Sequence, residues 1–194
     1  MKKIAIIDDD ASERAVLKGL VAECGFTVVA EGVNGMEAVE ICRTKSPDLV
    51  IMDVKMPVKD GIEAVAEINR LCPTPVVLLT ASDDNETITR AVEAGVMGYL
   101  LKPVRQEEIA PAAALAISRF IEFEMLKKEN RDLKNTLQAR KAIEKAKGLL
   151  MEKEGLSEAA AFSRIRKISM DRRQSMTDIA GIIITALEEK KGAL

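Results

Sequence analysis

This sequence predicts a doubly wound α/β domain with a five-stranded parallel sheet, followed by a long coiled-coil helix and a small three-helix all-α domain. Three observations point there. Over the first 103 residues, short β-rich apolar runs alternate with segments of helical spacing. From Glu107 the pattern turns to helix with few breaks. The charge also divides, with 12 Lys and Arg against 19 Asp and Glu in residues 1–118, and 17 against 12 in residues 119–194. Halves of opposite sign point to two domains with different partners, an acidic regulatory one and a basic output one.

The expected strands are residues 4–7, 28–30, 49–52, 76–79 and 99–101. The first, third and fourth are continuously apolar, as in strands covered on both faces. Between them, residues 12–24, 35–43, 62–71 and 86–94 have helical spacing, and Gly25 and Gly95 stand where helices would stop. Pro111 falls near a helix start, where proline is tolerated. From Ala112 to Glu154 there is no proline and Gly148 is the only glycine. A helical pattern of roughly 40 residues is too long for an ordinary globular helix and indicates a coiled coil.

The heptad places Phe123, Asn130 and Leu137 at a, and Leu126 and Leu133 at d. Arg119 and Arg140 take the flanking d positions, so the clean seam is short. A buried Asn at a is satisfied by another Asn across the seam, which fixes a parallel, in-register homodimer at some cost in stability. The alternative is that Asn130 is a surface residue on a helix packing against its own domain. Beyond it, Gly155 stops the helix and Ser157 N-caps the next, with Phe162, Ile165 and Ile168 as its apolar stripe. Ser175-Met176-Thr177-Asp178 has the form of a capping box opening a last helix. The expected division is 1–118, 119–138 and 139–194.

Composition excludes several functional classes. At 47 % hydrophobic and 31 % charged, the chain reads as soluble and globular. No apolar run approaches the roughly 18 residues of a membrane span. Met1-Lys2-Lys3 leads into a very short apolar run with no signal-peptide pattern, so a cytoplasmic location is expected. Cys24, Cys42 and Cys72 form no CxxC pair and are read as buried free thiols. The chain has no histidine, which removes Ser-His and Cys-His catalysis.

The chemistry gathers after the strands. Asp8-Asp9-Asp10 follows the first, Asp53 the third, Thr80 the fourth, and Lys102-Pro103 the fifth. In a parallel sheet these carboxyl ends share one edge, where ligands bind. Asp53 is the expected nucleophile for phosphoryl transfer, forming an acyl phosphate. Asp8 and Asp9 supply oxygen ligands for Mg²⁺, which offsets the repulsion between anionic nucleophile and anionic donor. Lys102 and Thr80 can contact the phosphoryl oxygens. Any one of these residues alone would be an ordinary turn or cap.

Taken together, Ile6-Ile7-Asp8-Asp9, Met52-Asp53 with Met56-Pro57 and Asp60-Gly61, Thr80-Ala81, and Tyr99 with Lys102-Pro103 resemble the response-regulator receiver domain over about residues 1–120. The resemblance implies Asp53 as phosphoacceptor, Asp8 and Asp9 as metal carboxylates, and the Lys55 carbonyl as a further metal ligand. It implies Thr80 and Lys102 as the phosphoryl-sensing pair and Tyr99 as an aromatic that rotates with Thr80. It also implies a sensor histidine kinase as phosphodonor, and no enzyme activity beyond self-phosphorylation and acyl-phosphate hydrolysis.

The basic half has little aromatic character, and its mixed charge would ordinarily be a solvated surface. The run 139–151 with Ala146-Lys147-Gly148-Leu149-Leu150-Met151, then Gly155-Leu156-Ser157-Glu158, Ile165-Arg166 and 175–180, resembles the ANTAR domain over about residues 135–190. That family implies a three-helix RNA-binding module that acts on paired hairpins in nascent transcripts and prevents termination. The expected RNA contacts are Arg140, Lys141, Lys145, Lys147, Arg164, Arg166, Lys167, Arg172, Arg173, Ser175 and Thr177. Ala146, Gly148 and Phe162 are expected to pack, and for Arg166 and Lys147 a structural role is the alternative to RNA contact. Two other readings are a duplex-DNA-binding regulator and a protein-interaction output module. Against the first, Ile182-Ile183-Ile184 make the last helix too apolar for a recognition helix.

Overall fold

The computed structural model describes residues 1–81 and 85–189, so the end of the expected 139–194 domain lies outside the described residues. The chain divides into two compact units, Met1–Met125 and Leu126–Leu194.

In the first unit, β1 (Lys3–Ile7), β2 (Thr27–Gly32), β3 (Leu49–Asp53), β4 (Val76–Thr80) and β5 (Gly98–Leu101) form one parallel sheet in the order β2-β1-β3-β4-β5. The central strands β1, β3 and β4 are buried nearly throughout, and the edge strands β2 and β5 are partly exposed. That is the division expected from their continuous or interrupted apolar runs. Successive side chains point to opposite faces. Thus Ala5, Ile7, Val50, Met52, Val76 and Leu78 pack on α2 (Gly35–Lys45), α3 (Gly61–Leu71) and α4 (Asn85–Glu93). Ile4, Ile6, Leu49, Ile51, Val77 and Leu79 pack on α1 (Ala11–Glu23) and the start of α5 (Gln106–Glu154). Burial of each such Val, Leu, Ile or Met side chain contributes about 1.5–3 kcal/mol.

Short polar residues set the helix starts at the sheet's carboxyl edge. Asp10, Asn34 and Asp60 cap α1, α2 and α3 by accepting backbone N–H groups of the first turn. Pro111 falls near the start of α5, as expected, in its second turn. Of the three free cysteines only Cys42 is buried, and burial pushes its thiol up to about 12; Cys24 and Cys72 are half-buried.

In the second unit the end of α5 packs with α6 (Glu158–Arg172) and α7 (Met176–Glu189) around Ala146, Leu150, Ala161, Ile165, Ile179 and Ala180. Gly155 leaves α5 at φ +67°, and Ser157 caps α6. The capping box forms, since Asp178 N–H donates to Ser175 Oγ at 3.1 Å and Ser175 N–H to Asp178 Oδ2 at 3.3 Å. Phe162 is not in the stripe expected for it. It is 42 % exposed, because the buried face of α6 runs through Ala161 and Ile165 instead. Gly148, also expected to pack, is exposed. Among the described residues no helix is long and apolar enough to cross a membrane.

Gly61 opens α3 where the helix meets the end of β3, and a Cβ there would run into the backbone carbonyl of Asp53. Gly61→Ala should lower the urea midpoint by an amount equivalent to about 1–3 kcal/mol. Gly19→Ala, in open space within α1, should leave stability unchanged or raise it by about 0.5–1 kcal/mol.

Candidate functional site

The strand order reverses between β1 and β3, which makes their carboxyl ends the crevice of the sheet. Asp8 directly follows β1 and is 1 % exposed, and Asp53 is the last residue of β3 and buried. Lys102 follows β5, with its Nζ 2.8 Å from Asp53 Oδ1 and 3.0 Å from Asp8 Oδ2. Thr80, the last residue of β4, is buried on the same edge. Four strands therefore deliver four of the expected groups to one place.

A third carboxylate reaches Lys102, and it belongs to Glu13, whose Oε2 lies 2.5 Å from Nζ. Asp9 is exposed. The convergence expected of Asp8, Asp9 and Asp53 is thus met by Asp8 and Asp53, with Glu13 as the third carboxylate on the ammonium. Asp10 turns away to cap α1, and its N–H donates to Asp8 Oδ1 at 2.9 Å. The Arg14 guanidinium donates to the Asp8 carbonyl at 2.7 Å, which ties the first turn of α1 to the end of β1.

Electrostatics follow from burial. Desolvation raises the Asp53 pKa above its ordinary value, and the nearby Asp8 charge adds to that. The hydrogen bonds from Lys102 and from the Lys55 backbone N–H lower it by less. For Lys102, burial alone would lower the pKa, but hydrogen bonds to Asp53, Glu13 and Asp8 outweigh it and hold the ammonium above the usual lysine value. Asp53 is thus a carboxylate whose negative charge is under-compensated, beside a lysine that stays charged. Among the described residues no group of three His, Cys, Asp or Glu side chains is spaced to enclose a metal ion. Mg²⁺ needs only one or two carboxylates and keeps several waters, so the all-oxygen pair Asp8 and Asp53 fits it. Tyr99, on edge strand β5, is 49 % exposed.

In the second unit the basic residues separate into two groups. Lys147 is withdrawn from the expected RNA contacts, because its side chain is buried and its Nζ donates to Glu144 at 3.0 Å and Glu158 at 2.7 Å. It ties the end of α5 to the first turn of α6. Arg164 pairs with Glu154, and Lys145 with Glu188 at 2.7 Å. Arg140, Lys141, Arg166, Lys167, Arg172, Arg173 and Ser175 are exposed, and Thr177 is half-buried. Arg173 holds the left-handed position that ends α6, at φ +52°. On α5, Phe123, Leu126, Leu133 and Leu137 are each more than half exposed, and Asn130 is exposed among them.

The response-regulator receiver domain family matches residues 4–114, and the ANTAR domain family matches residues 131–184. A transcriptional regulatory protein of Mycobacterium tuberculosis, PdtaR, is 42 % identical over 98 % of this chain and 93 % of its own length. The chain belongs to the response regulators with an ANTAR output domain. The chemotaxis protein CheY of Bacillus subtilis is 36 % identical over 57 % of this regulator and 92 % of its own chain. The receiver domain of the M. tuberculosis response regulator NarL superposes with a TM-score of 0.58 at 28 % identity, covering 60 % of this regulator and 96 % of that chain. The two family matches meet the two units of the regulator, one each.

Sequence reading missed Glu13 and the acidic partners of Lys147. The signal for Glu13 was its place three residues after the N-cap Asp10, where a capping-box glutamate would turn back to the cap. Here it reaches across to Lys102 instead.

The raised Asp53 pKa has a signed consequence. Between the ordinary carboxylate value of 3.8 and its raised folded value, native Asp53 holds a proton that the unfolded chain has released. Stability from this group is therefore present at low pH and lost as pH rises through that window. In chelator-containing buffer, the stability advantage of Asp53→Asn over wild type should grow as pH is raised through the window and then level off. A difference that stays constant with pH would contradict the under-compensated Asp53.

Proposed function

We propose that this response regulator takes a phosphoryl group on Asp53 from a sensor histidine kinase and acts through its ANTAR domain as an RNA-binding transcription antiterminator. The observation that carries the first step is the Lys102 ammonium bridging Asp8 and Asp53 at the crevice of the sheet. In the step itself an Asp53 oxygen attacks phosphorus, the P–N bond of the donor's phosphohistidine breaks, and the freed imidazole keeps the electron pair and takes a proton. Asp8, Asp9, Asp53 and the Lys55 carbonyl would hold Mg²⁺, which when bound offsets the charge of nucleophile and donor. Lys102 then moves from carboxylate to phosphoryl oxygen, and the Thr80 hydroxyl donates to another.

A phosphoryl group adds nearly two charges and three strong acceptors. In this reading Thr80 is drawn toward it, Tyr99 turns from its half-exposed position, and the surface formed by α4, β5 and α5 changes state. The exposed stripe Phe123, Leu126, Asn130, Leu133 and Leu137 is read as the seam of a parallel homodimer. Two heads held together can engage two hairpins at once, which raises avidity without new contacts. The RNA contacts are read as Arg140, Lys141, Lys145, Arg164, Arg166, Lys167, Arg172, Arg173, Ser175 and Thr177, chiefly to phosphates and to unpaired loop bases. Access to nascent transcripts places the regulator in the cytoplasm. PdtaR is a transcriptional regulatory protein, which supports this reading.

The test is binding of full-length regulator to a terminator-proximal RNA with paired hairpins, with and without a small-molecule phosphodonor and Mg²⁺. Phosphorylated wild type should bind more tightly, and Asp53→Asn should not respond to the donor. Lys141→Ala and Arg166→Ala should each lower affinity and reduce the salt slope by about 0.7–0.9. Binding that is indifferent to the donor would remove the switch, and preference for duplex DNA would replace RNA as the target.

A further inference from the structure

An ammonium has three N–H donors. In Lys102 all three face carboxylates, with Asp53 Oδ1 at 2.8 Å, Asp8 Oδ2 at 3.0 Å and Glu13 Oε2 at 2.5 Å. A phosphoryl group on Asp53 brings new acceptor oxygens that need the same donors. One existing bond has to give way, and the three acceptors are not equivalent. Asp8 is buried at the end of β1 and held there by the Asp10 N–H. Asp53 is the reacting residue itself. The Glu13 side chain is 52 % exposed, on the first turn of α1, and water can replace the lysine at little cost.

Glu13 also lines a cavity beside Lys102. With Asp8 and Lys102 it forms the polar end of a cavity of about 480 Å³, whose apolar wall includes Leu17, Leu79 and Val104. Because Glu13 and Asp53 share the Lys102 ammonium, the negative charge of Glu13 acts twice against a phosphoryl group on Asp53. It occupies a donor of the lysine that must receive the group, and it repels the anion directly.

Resting on the reading of Asp53 as phosphoacceptor, we propose that Glu13 is a positioning residue that holds Lys102 back from the phosphoryl group, and so limits how fast Asp53 is phosphorylated and how long the acyl phosphate lasts. The exposed bond to Glu13 is the one exchanged when Lys102 turns to phosphate. Glutamine at this position keeps the shape and still accepts from Lys102, but without the charge that bond is weaker and Lys102 turns more readily to phosphoryl oxygens.

The experiment uses full-length regulator with Mg²⁺ and phosphoramidate, following phosphorylated protein on a phosphate-affinity gel, then its decay after donor removal. Glu13→Gln should be phosphorylated about two- to fivefold faster than wild type, and its acyl phosphate should decay more slowly. The gain should shrink as salt is raised, because the effect is charge at a partly exposed site. If Glu13 only ties α1 to β5, Glu13→Gln will shift the melting temperature and leave both rate constants at wild-type values, which overturns the proposal. Wild type that takes up phosphoryl while Asp53→Asn does not keeps the phosphoacceptor reading whatever Glu13→Gln does. Wild type that takes up none overturns both.

Discussion

Everything at the carboxyl edge of this sheet depends on one ammonium keeping two buried carboxylates together. Asp8 and Asp53 lie at the ends of adjacent strands, the Asp8 charge adds to the cost of ionising Asp53, and the Lys102 ammonium bridges the two. The strain between the two carboxylates is one of charge. Desolvation of Asp53 exceeds what Lys102 returns to it, so the resting site holds a carboxylate ready to accept a cation or an electrophile. The fold makes this possible because Gly61 lets α3 close on the end of β3, and because the aliphatic layers on both faces fix β1, β3 and β4 in register.

The receiver half was legible in the sequence because its signals are local and repeated. Each strand is a short apolar run, and each functional group sits one residue or so beyond the end of one. Continuous runs marked the buried strands, and the repeated strand–helix units predicted the doubly wound parallel sheet. Glu13 was not legible, since its partner lies 89 residues further along and no periodicity links the two. Asp9 showed the opposite difficulty: adjacent identical carboxylates look equivalent in sequence, yet one is buried in the crevice and the other faces solvent.

In the basic half the pattern read correctly for elements and less well for faces. Caps at Ser157 and Ser175 identified the helix starts, because capping chemistry is confined to a few residues. Phe162 was misplaced by size. Small residues such as Ala146, Ala161 and Ala180 bring the three helices close, so the core has room for Ile165 and Ile179 but not for the aromatic beside them. For Lys147 the sequence left RNA contact and a structural role both open, because a lysine held by two glutamates reads in sequence like any other basic residue. What separates an interface lysine from an internal one is which acidic groups the tertiary fold brings within reach.

The destination of the phosphoryl group decides whether Asp53 is the switch. The direct measurement is to incubate full-length regulator with Mg²⁺ and a small-molecule phosphodonor, reduce the product with borohydride, and map the modified residue by peptide mass spectrometry. Conversion of Asp53 alone to homoserine is the predicted result. Absence of conversion, or conversion at another carboxylate such as Asp9 or Glu13, would contradict it.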